Sequence, residues 1–191
     1  MVLEVVKYGH PALRRKGERI EKFTPEIKQL ISDMFDTMYA AKGVGLAAQQ
    51  VGKALQLTVL DVRGATDRPS TLEIDGKEAG VESFMPVALI NAETKLIGEP
   101  VAGPEGCLSF PEIFADITRP SMTHVRALNQ NGDPIEFTCG GLLSRAVQHE
   151  IDHLNGILFI DRMKHAAKEE LKPELDELQI KTKEALKKAK A

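Results

Sequence analysis

Apolar residues recur at helical spacing in two segments of the chain. The first follows Thr24-Pro25, a side chain that can cap a helix followed by a residue favoured in its first turn, and ends at Lys42-Gly43. The second covers residues 142–155, where two neighbouring apolar stripes leave one polar sector and Gly156 provides a C-terminal stop. Because both stripes must be covered, we expect this second helix to be central in the fold.

Alternating and β-branched residues predict short strands over residues 55–62, 87–91, 94–97, 121–128 and 134–139. Asn131-Gly132 predicts a hairpin between the last two, and Asp75-Gly76 a smaller hairpin within the polar segment 63–86, which we interpret as a surface excursion. Residues 157–160 predict a closing strand. The Lys/Glu/Leu-rich residues 164–191 predict a terminal helix, interrupted or started near Pro173.

Composition and charge narrow the class of protein. The chain has 191 residues, 42% hydrophobic and 28% charged, which is typical of one globular domain and excludes a disordered chain. A net charge of −3 does not favour a nucleic-acid-binding surface, so we expect no DNA partner. Two cysteines are too few to staple a domain of this size. Without a leader-like N-terminus or an apolar run of about 18 residues, we expect a soluble, cytoplasmic protein with no membrane partner.

Candidate chemistry lies on the predicted central helix, in His149-Glu150-Ile151-Asp152-His153. Imidazoles four residues apart share one helical face and can bind a divalent metal, with the glutamate as a candidate general base. The alternative is that both are core histidines satisfied by hydrogen bonds. We disfavour it because both histidines lie on a buried stripe and have a carboxylate between them in the sequence.

A catalytic metal site needs a third protein ligand. The longer metalloprotease motif would place a histidine where this chain has Phe159, and Glu169 or Glu170 lie in a solvated Lys/Glu run. Cys107 is the better donor, because a thiolate beside two imidazoles makes a tetrahedral site with one open position. On its own, Cys107 would be interpreted as a small buried hydrophobe.

Three segments together resemble the signature motifs of the peptide deformylase family, in order and spacing. They are Gly43-Val44-Gly45-Leu46-Ala47-Ala48-Gln49-Gln50, Glu105-Gly106-Cys107-Leu108-Ser109 and Gln148-His149-Glu150-Ile151-Asp152-His153. The resemblance extends over residues 5–161 and includes Pro11-Ala12-Leu13-Arg14. It implies an α+β fold in which antiparallel sheets surround a central metal-binding helix, with a C-terminal helix. We therefore expect a catalytic domain over residues 1–165 and a helical tail over residues 166–191.

The resemblance also implies a function: a metallohydrolase that removes the N-formyl group from the initiator methionine of new polypeptides and releases formate. The implied cofactor is one Fe²⁺ or Zn²⁺ per chain, with Ni²⁺ or Co²⁺ as substitutes. Carried over by position, the ligands are Cys107, His149 and His153. Glu150 would take a proton from the attacking water and deliver it to the leaving amine. The Gln50 side chain and the Leu108 N–H would stabilise the charge on the formyl oxygen.

Substrate contacts follow from the same resemblance, although each could instead be core packing. They are Val44, Gly45, Gly106, Leu142, Arg145 and Ala146. Glu105 is expected to be structural and to pair with Arg119. Many bacterial members have an arginine seven residues after the cysteine that helps to hold the peptide backbone, where this chain has Phe114. Either this chain holds its substrate differently, or Arg119 or Arg63 substitutes.

The expected partners are N-formylmethionyl nascent peptides and, through basic Lys187, Lys188 and Lys190, the ribosome. The alternative for these lysines is a solvated helix end. Two other functions stay open at this point: a zinc endopeptidase that uses the same helix without Cys107 or Gln50, and a catalytically silent metal-binding module.

Overall fold

A computed structural model describes residues 1–189. Lys190 and Ala191, at the end of the predicted basic tail, lie outside the described residues. The strands are β1 Gly45–Ala47, β2 Leu57–Leu60, β3 Ser70–Ile74, β4 Lys77–Glu78, β5 Val87–Cys107, β6 Phe110–Leu128 and β7 Pro134–Gly140. The helices are α1 Pro25–Ala40, α2 Val81–Phe84, α3 Gly141–Leu154, α4 His165–Glu170 and α5 Lys172–Lys188. Single 3₁₀ turns cover Pro11–Arg14, Ala48–Val51 and Phe159–Asp161.

The two predicted amphipathic helices are confirmed as α1 and α3. Thr24 caps α1, since its hydroxyl accepts a hydrogen bond from the Ile27 N–H at 3.4 Å. Helix α3 packs against β1, β2, β3, β6 and β7, so both of its apolar stripes are covered. Its Leu143, Val147 and Leu154 are fully buried. The central helix is therefore fixed by apolar packing on several sides.

The strands form an antiparallel sheet in the order β1-β2-β5-β6-β7-β3-β4. Both predicted hairpins are present, β3–β4 around Asp75-Gly76 and β6–β7 around Asn131-Gly132. The interpretation of residues 63–86 as a surface excursion is wrong, because β3 pairs with β7 and both Leu72 and Met85 are buried.

The prediction of a strand over residues 157–160 is also wrong. Phe159 and Ile160 lie in the 3₁₀ turn Phe159–Asp161 and are buried with Leu13 and Phe110. Their apolar character serves packing rather than strand pairing. The terminal helix is confirmed with its interruption at Leu171, two residues before Pro173, and Leu175 of α5 joins the same buried cluster.

Within residues 1–189, none of the helices is both long enough and apolar enough to cross a membrane.

Candidate metal centre

The three residues predicted as metal ligands lie together at the meeting point of α3 and the end of β5. The potential ligand atoms of Cys107, His149 and His153 all lie within 4.8 Å of one another, and Cys107 Sγ is 3.3 Å from His153 Nε2. Both histidines are buried. One sulfur and two imidazole nitrogens at this spacing fit a divalent transition metal in a tetrahedral site that keeps one position open.

Glu105 orients His149 by accepting a hydrogen bond from Nδ1 at 2.9 Å, which leaves Nε2 for a metal. Glu105 also accepts from Arg119 Nη2 at 3.0 Å, as the sequence predicted. Burial alone would raise the pKa of the Glu105 carboxyl, but the hydrogen bonds from His149 and Arg119 outweigh it and hold that pKa at about 2. Arg119 in turn donates to Asp152 of α3 at 2.9 Å. A buried ionic network therefore holds the imidazole of His149, one of the three candidate ligands.

The carboxyl group of Glu150 packs against the segment Gly43-Val44-Gly45, which we call the glycine segment. A Cβ atom on Gly45 would lie 2.6 Å from Glu150 Oε1, so that position has no room for a side chain. The Thr58 hydroxyl lies 3.5 Å from the other carboxylate oxygen, Oε2. Burial raises the pKa of Glu150 to about 7. Such a carboxyl is suited to both taking and giving a proton near neutral pH.

Gln50 is held with its amide nitrogen facing the cysteine. Its Oε1 accepts a hydrogen bond from the Ala47 N–H at 2.9 Å, which fixes the orientation of the amide. Its Nε2 lies 3.5 Å from Cys107 Sγ and 3.3 Å from Ser109 Oγ. Leu108 stands in the turn between β5 and β6, with its side chain against Gly43.

A cavity of about 520 Å³ opens onto this cluster. It is lined by Cys107, His149, Glu150, Gln50 and Leu108. All six predicted substrate contacts also line it: Val44, Gly45, Gly106, Leu142, Arg145 and Ala146. Arg145 directs its guanidinium group to Glu105 Oε1 at 3.0 Å and to the backbone carbonyls of Ile117 and Val101.

Neither arginine considered as a substitute for the family arginine lines the cavity. Arg119 is buried in the ionic network, and Arg63 is paired with Asp61 at 2.7 Å. Phe114 does line it: its side chain is 69% exposed, and its ring covers Gly106, where a Cβ would lie 2.6 Å from a ring carbon. The wall is therefore apolar at this point.

Sequence reasoning missed Lys7, which lines the same cavity. Its Nζ donates to the Leu108 carbonyl at 2.8 Å, across 101 positions of sequence. No local pattern marks such a contact, because it depends on how the N-terminal segment folds back.

Comparisons with known proteins give matches to one family. The family model described as polypeptide deformylase matches residues 2–169. A peptide deformylase from Methylacidiphilum infernorum is 46% identical over 178 residues, 93% of each chain. A second, from Opitutus terrae, is 46% identical over 165 residues, 85% of each.

Solved structures give the same result. A plant peptide deformylase is similar with a TM-score of 0.81 at 36% identity, covering 96% of this chain and 92% of that one. A peptide deformylase from Synechococcus elongatus, solved in complex with actinonin, is similar with a TM-score of 0.74 at 35% identity, covering 94% and 85%.

Proposed function

The chain belongs to the polypeptide deformylase family, the metal-dependent hydrolases that remove the formyl group from nascent peptides, and from that premise we propose how its own residues carry out the reaction. One divalent ion is held by Cys107, His149 and His153. The observation that carries this proposal is the approach of their ligand atoms within 4.8 Å of one another, beside the buried Glu150. When bound, the ion supplies a Lewis acid that makes water nucleophilic at neutral pH.

Glu150 is the proposed acid and base. Its carboxylate takes a proton from the water that attacks the formyl carbon and passes that proton to the departing amine. The carbon–nitrogen bond breaks, and formate and a free N-terminal amine are the products. The tight fit of the Glu150 carboxyl against Gly45 supports this assignment, because it holds the carboxyl at the cavity wall.

Gln50 Nε2 and the Leu108 N–H are the proposed donors to the formyl oxygen as negative charge develops there. Donors fixed before the reaction need no reorganisation when the charge appears, which is why such groups lower barriers. The bond from the Ala47 N–H to Gln50 Oε1 supports this role, because it keeps the donating face of the amide toward the site.

Val44, Leu142 and Ala146 are proposed to hold the methionine side chain, with Gly45 and Gly106 lying beside the peptide. The mixture of small and aliphatic side chains in the cavity lining supports an unbranched apolar ligand. Arg145 shapes this wall, while its guanidinium group is occupied by Glu105 and backbone carbonyls.

The proposed native ion is Fe²⁺, with Zn²⁺ as the alternative and Ni²⁺ or Co²⁺ as substitutes. A donor set of one thiolate and two imidazoles accepts any of these ions, so the donors do not select among them. We further propose a cytoplasmic location and a division into a catalytic domain, residues 1–165, and a tail, residues 166–191. The burial of Leu175 supports a tail that packs on the domain.

Contact of α5 with the ribosome is the remaining part of the proposal. Lys187 and Lys188 are exposed in the last turn of α5. Replacing both by glutamine is expected to weaken co-sedimentation with ribosomes, most clearly at low salt, and to leave turnover of a free tripeptide unchanged. Replacing both by arginine is the control. Equal co-sedimentation of the two double variants would show that these lysines do not contact the ribosome and that this end of α5 is only solvated.

The test of the proposed function is an assay of formyl-Met-Ala-Ser hydrolysis together with metal analysis of anaerobically purified protein. We expect about one equivalent of metal per chain and release of formate, with no cleavage of internal peptide bonds. The Cys107→Ala variant should lose metal and turnover together. A variant that still cleaved internal bonds would favour the zinc endopeptidase, and metal without turnover in the parent would favour the silent module.

A further inference from the structure

Residues 6–8, which we call the N-terminal strap, hydrogen bond to both segments that carry the proposed oxyanion donors. The three bonds run from Val6 N–H to the Gln50 carbonyl (2.9 Å), from Lys7 Nζ to the Leu108 carbonyl (2.8 Å) and from Tyr8 N–H to the Ser109 carbonyl (2.9 Å). Gln50 and Leu108 are far apart in sequence, so a third segment fastened to both fixes their relative position.

The strap holds the short turn between β5 and β6. Cys107 pairs with Phe110, so Leu108 and Ser109 are the two residues that connect β5 to β6. Lys7 and Tyr8 bond to the carbonyls of these two residues in turn. Because the Leu108 N–H and carbonyl belong to adjacent peptide planes that share one Cα, rotation of the turn moves both groups. A hydrogen bond that restrains the carbonyl therefore also restrains the direction of the N–H.

Lys7 makes its strap bond through a side chain, whereas Val6 and Tyr8 use backbone groups. The Lys7 side chain is half-buried and lines the cavity beside Cys107 and Leu108. No step of the proposed reaction uses it. Holding a long, flexible cation in such a place costs side-chain entropy and hydration free energy. A charge-assisted hydrogen bond to the Leu108 carbonyl, next to the proposed N–H donor, offsets part of that cost.

We propose that Lys7 is a positioning residue for deformylation: its ammonium group holds the Leu108–Ser109 turn so that the Leu108 N–H points at the formyl oxygen. The inference rests on the proposed function, since it assigns Lys7 to the support of a donor named there. Lys7 itself donates no proton to the substrate in this account. Its loss therefore affects the transition state more than the binding of the substrate.

The test compares Lys7→Met, Lys7→Arg and, as the matched control, Lys22→Met, which removes an exposed lysine elsewhere in the N-terminal region. Each is assayed for kcat and KM on formyl-Met-Ala-Ser, for metal content and for thermal midpoint. We expect Lys7→Met to lose about tenfold or more in kcat, because small misplacements in an active site have large effects on rate. KM and metal content should match the parent, and Lys7→Arg should recover most of the rate.

Parent-like kcat in Lys7→Met would overturn the inference, as would a rise in KM alone, a loss of metal, or failure of Lys7→Arg to recover any rate. If Lys7→Met does not accumulate as folded protein, Lys7→Gln is judged by the same criteria. Gln50→Ala is measured alongside. Unchanged kcat in Gln50→Ala counts against the proposed oxyanion donors, whereas a loss in Gln50→Ala with none in Lys7→Met counts against the positioning role alone.

Discussion

Glu105 illustrates how one side chain connects the ligand set to the rest of the protein. It binds Nδ1 of His149 on one side and Arg119 on the other, and Arg119 continues to Asp152 of α3. The resemblance to the family predicted that Cys107, His149 and His153 lie together and that Glu105 pairs with Arg119, and the structure shows both contacts. The sequence did not predict Lys7, since a contact across 101 positions leaves no local pattern.

Replacing Glu105 by glutamine is expected to weaken metal binding by about 10- to 100-fold, the usual effect of losing the group that orients a ligating histidine. Competition with a chelator of known affinity measures this. Glu99→Gln, which changes an exposed glutamate on the same strand, is the control. Equal metal affinity in the two variants would show that His149 does not depend on Glu105.

The strands show where local patterns stop being informative. Helices α1 and α3 were predicted because their periodicity and end signals are local, whereas β5 and β6 were predicted only as shorter pieces. Gly98, Pro100, Gly103 and Pro104 interrupt the alternation of β5, and the ladder shifts register near Ile97 and Pro100. Its continuity comes from pairing with β6, and the pattern of apolar residues along β5 does not mark that pairing. The place of β3 between β7 and β4 was missed for the same reason.

The glycine segment that enters β1 offers a test of the fit around the proposed base. In Gly45→Ala the new Cβ would lie 2.6 Å from Glu150 Oε1, so the carboxyl must move. We expect kcat to fall about 10²-fold while metal stays bound, since displacement of a reacting group by about 1 Å has that effect. Gly64→Ala is the control, because a Cβ at Gly64 meets nothing within 4 Å. Equal kcat in the two variants would mean that the enclosure of Glu150 is not required for turnover.

At the scale of the whole molecule, one residue of the terminal helix α5 packs into the core beside the N-terminal region. Leu175 of α5 is 5% exposed and packs in a cluster with Leu13, Phe110 and Phe159. The same cluster contains the residues that were predicted as a closing strand. The tail thus packs on the cluster that contains Phe110, the first residue of β6.

This packing predicts a difference in stability between two positions on α5. Leu175→Ala should lower the free energy of unfolding by about 2–5 kcal/mol, the usual effect of removing a large buried aliphatic side chain. Ile180→Ala, at a residue that is 57% exposed, should change it by less than about 0.5 kcal/mol. Denaturant unfolding at saturating zinc compares them. Similar values for the two variants would contradict the packing of α5 on the core.

The central claim is that Glu150 moves the proton while Cys107, His149 and His153 hold the metal. The most direct measurement is metal content and formyl-Met-Ala-Ser turnover of Glu150→Gln, purified anaerobically beside the parent. We expect the variant to keep the parent's metal content and to have at least about 10²-fold lower kcat, because the substitution keeps the shape of the side chain and removes the base. Loss of metal would indicate that Glu150 is a ligand. A parent-like kcat would show that another group transfers the proton.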